Sequence, residues 1–202
     1  SLLIGAGGAA RAIAFYLSSE IENGSVTIIN RDKNKAQLIV NDIKKKYKIK
    51  IMADSENCID HYLSAVNLII NASTKGSSGL KRVNGRFTGL NGYSALSKAN
   101  PAVVDRNEGE TEEDLEKKIW NLSYKDREEN RCDSAVMLLH GICYKKRYPS
   151  FVDIVLNPLE TEMLEQARTV SYDKYPTMNG LGMNIFQAVD AFKKIMRLYL
   201  QK

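Results

Sequence analysis

Leu2-Leu3-Ile4, followed at once by Gly5-Ala6-Gly7-Gly8-Ala9-Ala10, constrains this chain more than any other feature. Three consecutive apolar residues read as the end of a buried parallel strand, and Gly5-x-Gly7-x-x-Ala10 turns that strand into a helix. The first glycine permits the tight turn, and the second lets the backbone approach a pyrophosphate. The small third residue lets helix and strand pack closely. The free N–H groups and positive dipole end of the helix then suit phosphates. A glycine-rich turn without a ligand has the same composition, but a strand before it and a helix after it favour a dinucleotide site. A chain rarely begins inside a central strand, so residues upstream of Ser1 are expected.

Periodicity extends the pattern. Ala10, Ile13, Leu17 and Ile21 recur at helical spacing, giving a helix from about Gly8 to Glu20 that Asn23-Gly24 ends. Val26 to Ile29 is a β-branched strand, and Asp32 then caps a helix with the stripe Ala36, Val40, Ile43 and Tyr47. Ile49 to Met52, a short helix near Cys58 to Leu63, and a strand over Val66 to Ile70 follow. This alternation predicts an α/β fold, a doubly wound parallel sheet of the Rossmann-like kind, as one domain over 1–202. A long insertion, 77–150, separates the fourth and fifth strands and is expected to be peripheral and partly mobile. Within it, Asp105 to Arg131 carries ten acidic and six basic residues and few apolar ones to bury. Thr111-x-x-Asp114 resembles a capping box, and Ala135 to Leu139 reads as buried. The alternation returns with a strand at Phe151 to Leu156, a helix from Thr161 to Arg168 and a short strand at Thr169 to Ser171. A closing helix from about Gly182 to Leu200 has Ile185, Val189, Phe192, Met196 and Tyr199 on one face.

The second strand selects the cofactor. Its tip is Asn30-Arg31, with Lys33 and Lys35 close behind. A guanidinium forms bidentate contacts with a 2′-phosphate and stacks on adenine, which points to NADP. Asp32 is open to two readings, a ribose ligand favouring NAD or the cap of the next helix; its position before the amphipathic stripe favours the cap.

The remaining composition narrows the classes. The net charge of +5 comes from scattered lysines with few interleaved aromatics, so no nucleic-acid partner is expected. Cys58, Cys132 and Cys143 are odd in number and widely spaced, which argues against a disulfide framework or a metal site and for reduced thiols in the cytoplasm. No apolar run approaches the roughly 18 residues that span a bilayer, so no membrane partner is expected.

Five motifs together resemble the shikimate dehydrogenase family. They are Gly5-Ala6-Gly7-Gly8-Ala9-Ala10-Arg11-Ala12, Asn30-Arg31-Asp32 with Lys35, Asn71-Ala72-Ser73-Thr74, Asp153-Ile154-Val155-Leu156-Asn157-Pro158, and Gly180-Leu181-Gly182-Met183 with Gln187. They occur in the family's order and cover the chain apart from the insertion. The resemblance implies that Gly5, Ala6, Gly7, Gly8 and Ala9 hold the pyrophosphate. It assigns Asn30, Arg31, Lys35 and the neighbouring Asp32 to the 2′-phosphate and adenosine. Asn71, Ala72, Ser73 and Thr74 would line the ribose and nicotinamide side, and Ile154, Gly180 and Met183 the nicotinamide. Gln187 would reach a substrate hydroxyl beside Leu156.

The implied chemistry is hydride transfer between NADPH and 3-dehydroshikimate, giving shikimate. The implied partners are that substrate pair, a catalytic N-terminal domain that this chain does not contain, and a second copy in a homodimer. The chain departs from the family in three places. Asp32 stands where the family has threonine, Leu156 where it has tyrosine, and the insertion is long. No catalytic residue is assigned here; His61 and His140 are isolated. Lys75 follows the fourth strand on a glycine-serine loop and is expected to be too mobile to donate a proton. The chain alone is therefore expected to bind cofactor without turning substrate over. Three other readings share these motifs: a quinate/shikimate dehydrogenase preferring NAD, a non-catalytic NADP-binding regulatory module, and one domain of a multifunctional aromatic-biosynthesis polypeptide.

Overall fold

The computed structural model describes residues 1–145 and 148–185. Six strands form one parallel sheet in the order β3-β2-β1-β4-β7-β8. They are β1 (Leu2–Ile4), β2 (Ser25–Asn30), β3 (Lys50–Ser55), β4 (Leu68–Asn71), β7 (Ser150–Asp153) and β8 (Thr177–Met178). β1 is central: Leu3 lies opposite Ile28 of β2 and Ile70 of β4.

The apolar runs are continuous because both faces of the sheet are covered. Alternation along β1 sends Leu2 and Ile4 to one core and Leu3 to the other. Helices α1 (Gly8–Glu20) and α2 (Lys33–Lys44) close the Leu3 side with Ala10, Ala14, Val40 and Ile43. On the opposite face lie α3 (Ile59–Leu63), α5 (Tyr124–Lys145) and α6 (Glu162–Ser171), supplying Leu63, Leu138, Met163 and Leu164. Among the described residues no helix is long and apolar enough to cross a membrane.

Four local expectations are corrected. The buried face of α1 is Ala10, Ala14 and Ser18, while Ile13, Leu17 and Ile21 are only partly buried. Close approach of helix to strand after the glycine turn requires small residues on the facing side, so size overrides hydrophobicity in choosing the face. Thr169 to Ser171 is the last turn of α6. Tyr172 and Asp173 adopt φ of 51° and 59° and end that helix, and the sixth strand comes after them. β7 stops at Asp153, short of Leu156, because its carboxylate accepts the Val155 N–H at 2.9 Å and turns the chain. Ala135 to Leu139 is helical, so only Leu138 of that run is buried; Val136 and Leu139 are about half exposed.

Between β4 and β7 the chain builds a hairpin, β5 (Leu80–Val83) and β6 (Arg86–Gly89), then α4 (Glu112–Leu122) and α5. The hairpin turns at Asn84-Gly85, both with positive φ. Thr111 and Asp114 form the capping box of α4. Leu115 and Ile119 bury against Val104, with Leu80 and Phe87 packed beside them. Polar side chains fasten the rest: Asn130 accepts the Ser94 N–H at 2.8 Å and donates to the carbonyls of Ser94 and Lys98 at 3.1 and 2.7 Å. The closing helix begins at 180, and the described part ends at 185. Val189, Phe192, Met196 and Tyr199 lie outside the described residues.

Candidate cofactor cleft

Gly5 makes the turn from β1. Its φ is +115°, its N–H donates to Ile29 O at 2.7 Å, and a Cβ there would sit 2.6 Å from Ala72 O. Only glycine allows this contact between the turn and the end of β4. Gly7 and Gly8 serve differently. A Cβ on either would meet nothing within 4 Å, so the backbone faces open space at the start of α1. Gly7 caps that helix without a side-chain hydrogen bond, and the first turn carries no acid. The helix therefore presents its first N–H groups and its positive end to a ligand with no anion of its own in competition.

One cavity of about 290 Å³ joins Gly5, Ala6 and Gly7 to the tip of β2 and to the end of β4. Asn30, Arg31, Asp32 and Lys35 line it on one side, Ser73 and Thr74 on the other. Asn30 Nδ2 donates to Asp32 O at 2.9 Å, and Asp32 Oδ1 accepts the Asn34 N–H at 3.0 Å. Asp32 is thus the cap of α2, the role its position suggested. Arg31 and Lys35 are exposed and have no ion pair among the described residues. Lys33 turns away to Asp54 at 3.1 Å.

Asp54 closes β3 under strong hydrogen bonding. The Tyr62 hydroxyl donates to it at 2.8 Å and the Ser55 N–H at 2.8 Å, and with Lys33 they hold its carboxyl down at about 2. A carboxyl depressed in the folded state contributes stability above its ordinary value of 3.8, lost as pH falls toward about 2. A carbon-detected NMR titration of Asp54 should show a midpoint near 2 in the native chain. In Tyr62→Phe, which removes the largest cause, the midpoint should move up toward 3.8; an unmoved midpoint would refute this assignment.

The far side of the cleft rests on a buried polar knot. Asn71 Nδ2 donates to both Asp153 carboxylate oxygens at 3.0 Å and to Lys75 O at 3.1 Å. Asn71 Oδ1 accepts from Ser73 N at 3.0 Å and Ser73 Oγ at 2.6 Å. Thr161 Oγ1 donates to Asp153 at 2.7 Å. Burial pushes the Asp153 carboxyl up, against these hydrogen bonds. Asn71 and Ala72 are buried and reach the cleft only by setting Ser73 and Thr74 in place.

Lys75 overturns an expectation. It is fixed: Nζ donates to Glu56 Oε2 at 2.8 Å and Ser97 O at 2.5 Å, and its side chain is 12% exposed. Burial pushes its pKa down, opposed by Glu56. The glycines and serines after it fold into a turn, with Ser77 Oγ donating to Thr74 O at 2.7 Å and Gly76 at φ +86°, so their composition did not mean mobility. Lys75, Glu56, Leu90 and Ala99 line the same cavity, so the segment between β4 and β7 covers part of the cleft. No local motif marked Glu56, Leu90 or Ala99. Asp153 carried a weak signal, as a charge in an apolar strand.

The other expected positions are placed as follows. Gly8 and Ala9 are exposed at the first turn of α1. Gly180 lies against the end of β7, where a Cβ would sit 2.6 Å from Ile154 O and 2.5 Å from Val155 O. Ile154, Gly180 and Met183 do not line the cavity at Gly5. Leu156 is 47% exposed. Gln187 lies outside the described residues.

Comparison with known proteins agrees with this geometry. Residues 1–82 match the family model of shikimate / quinate 5-dehydrogenases, and the match ends within β5. The shikimate dehydrogenase (NADP(+)) of Methanocaldococcus jannaschii is 28% identical over 95% of this chain and 48% of its own length. That of Methanobrevibacter smithii is 40% identical over 38% of this chain and 27% of its own length. The chain spans about half the length of the curated relatives that it matches along most of its own, 48% in each of the first three such cases. In fold it is similar to quinate dehydrogenase from Corynebacterium glutamicum in complex with NAD (TM-score 0.52, 20% identity, covering 95% of this chain and 48% of that one). It is also similar to shikimate dehydrogenase from Thermotoga maritima (TM-score 0.50, 15% identity, covering 95% and 49%). The chain is thus similar to shikimate dehydrogenases, by the family model over residues 1–82 and by individual relatives over most of its length.

Proposed function

We propose that the chain is the NADP-binding half of a shikimate dehydrogenase that interconverts 3-dehydroshikimate and shikimate. The observation that carries this reading is the single cavity joining the Gly5–Gly7 turn to Arg31 and Lys35. The residues fit the cofactor: an acid-free helix start faces open space, and two unpaired cations lie at the tip of β2. The N–H groups at the start of α1 hold the pyrophosphate. Arg31 and Lys35 hold the 2′-phosphate, which carries about −1.5 to −2 charges. Ser73 and Thr74, set by Asn71, line the ribose side. When bound, the cofactor supplies the hydride. Substrate contacts and the proton donor are assigned to the remainder of a full-length polypeptide of the kind its relatives have. Lys75 is committed to Glu56 and Ser97. A cytoplasmic setting goes with this reading.

The alternative, an enzyme preferring NAD, would need Asp32 as a ribose ligand. Its engagement by the Asn34 N–H supports the NADP reading instead. Fluorescence titrations with NADPH and NADH test the choice. NADPH should bind more tightly, and Arg31→Ala should weaken NADPH by about tenfold or more while leaving NADH nearly unchanged. Equal affinities in the native chain would favour the NAD reading.

A further inference from the structure

A second cavity shares no lining residue with the cofactor cleft. It has a volume of about 470 Å³ and is built mainly by the segment between β4 and β7; apart from Ser78, Gly79 and Leu80 its wall lies beyond the family model's match at 1–82. This size lies in the ordinary range of small-ligand sites, roughly 300–1,000 Å³.

Arg127 gives the cavity its chemistry. The residue is 3% exposed, yet no carboxylate of the described residues pairs with its guanidinium. Its Nη1 donates to Trp120 O at 3.1 Å, and its guanidinium carbon lies 3.4 Å from the Trp120 ring centroid and 5.9 Å from that of Tyr124. The neighbouring Asp126 is committed elsewhere, accepting from the Tyr93 hydroxyl and the Asn100 N–H, both at 2.8 Å. Gly92, with φ +73°, lets the backbone lie on the arginine stem; a Cβ there would meet Arg127 Cδ at 2.8 Å. The guanidinium is therefore held in one place. A buried cation without an anion is costly, and two aromatic faces offset only part of that cost. A built position for a cation, opening on a cavity, suits an anionic ligand.

The other wall residues define which anion. Asn91, Asn121, Asn157 and Ser78 offer amide and hydroxyl groups. Lys117 is occupied by Glu113 at 2.7 Å, and Glu116 places a carboxylate on the same wall. One cation without a carboxylate partner and one carboxylate among the same wall residues favour a monoanion over a dianion, and the carboxylate and amides suit hydroxyl groups. We propose that this cavity is a second ligand site, taking a small hydroxylated monocarboxylate through Arg127.

Trp120 is the single tryptophan of the chain and forms part of the wall, so its fluorescence reports on this site directly. The full chain is titrated with glycerate, with glycerol and with inorganic phosphate. Glycerate should give a saturable change at millimolar concentration, glycerol none, and phosphate should bind about tenfold more weakly. Arg127→Met should weaken glycerate by about tenfold or more, with NADPH affinity unchanged. Glu116→Gln should bring phosphate close to glycerate. No saturable response to glycerate, an equal response to glycerol, or full glycerate affinity in a folded Arg127→Met would overturn the proposal. If Arg127→Met does not fold, Glu116→Gln decides: unchanged selectivity against phosphate would overturn it.

Discussion

Gly5→Ala is expected to be the most damaging single substitution in the cofactor half of the sheet, costing about 3 kcal/mol or more. Two effects add. An L-residue at φ +115° is strained, and the new methyl would lie 2.6 Å from Ala72 O and 2.9 Å from Ser73 N, both backbone atoms. Relief would require β1 and β4 to separate, and these strands are the centre of the sheet. The thermal midpoint should fall by roughly 10 °C, and cofactor binding should be lost even in the folded fraction. Gly8→Ala is the control, because a methyl there meets nothing within 4 Å. It should fold normally. Equal stability of Gly5→Ala and Gly8→Ala by calorimetry would show that the turn does not pack as described.

The second large effect is expected at Asp153. Its carboxylate accepts from Asn71, Thr161 and the Val155 N–H, in a site with no solvent exposure. Asp153→Ala would strand these donors and disconnect the ends of β4 and β7, at a cost of about 3–5 kcal/mol. Asp153→Asn should be damaging too, since it would set an amide donor against Asn71 Nδ2. Because Asn71 also places Ser73, both variants should weaken cofactor binding along with stability. Chemical denaturation measures the first effect and NADPH titration the second. Loss of stability below about 1 kcal/mol in Asp153→Ala would refute the knot's role.

The parts of the fold legible in the sequence were those with a strong local cause. The strand, glycine turn and helix at Leu2 to Glu20 were fixed by Gly5 and Gly7, and the Asp32 cap by its place before an amphipathic stripe. The capping box at Thr111 was equally local. Less was legible where tertiary packing decides. Thr169 to Ser171 looks like a strand by β-branching, yet Val170 packs on the core from a helix. Lys75 looked mobile from its neighbours, whereas Glu56 and Ser97, far from it in sequence, hold it still. The insertion's acidic stretch is anchored by Arg127 and Asn130, buried polar side chains that no hydrophobic pattern announces. At the candidate cleft, Gly5 to Gly7, Asn30 to Asp32, Lys35, Ser73 and Thr74, far apart in sequence, line one cavity. Leu90 and Ala99 entered it unannounced, because long-range contacts bring them there.

Amide NMR of the chain titrated with NADPH tests the central claim most directly. The helix start and the β2 tip should respond together: Gly7, Gly8 and Ala9 through the pyrophosphate, Arg31 through the 2′-phosphate. NADH should reproduce the shifts at Gly7 to Ala9 and give clearly smaller ones at Arg31. Shifts confined to the cavity around Trp120 and Arg127, or none at Gly7 to Ala9, would contradict the account.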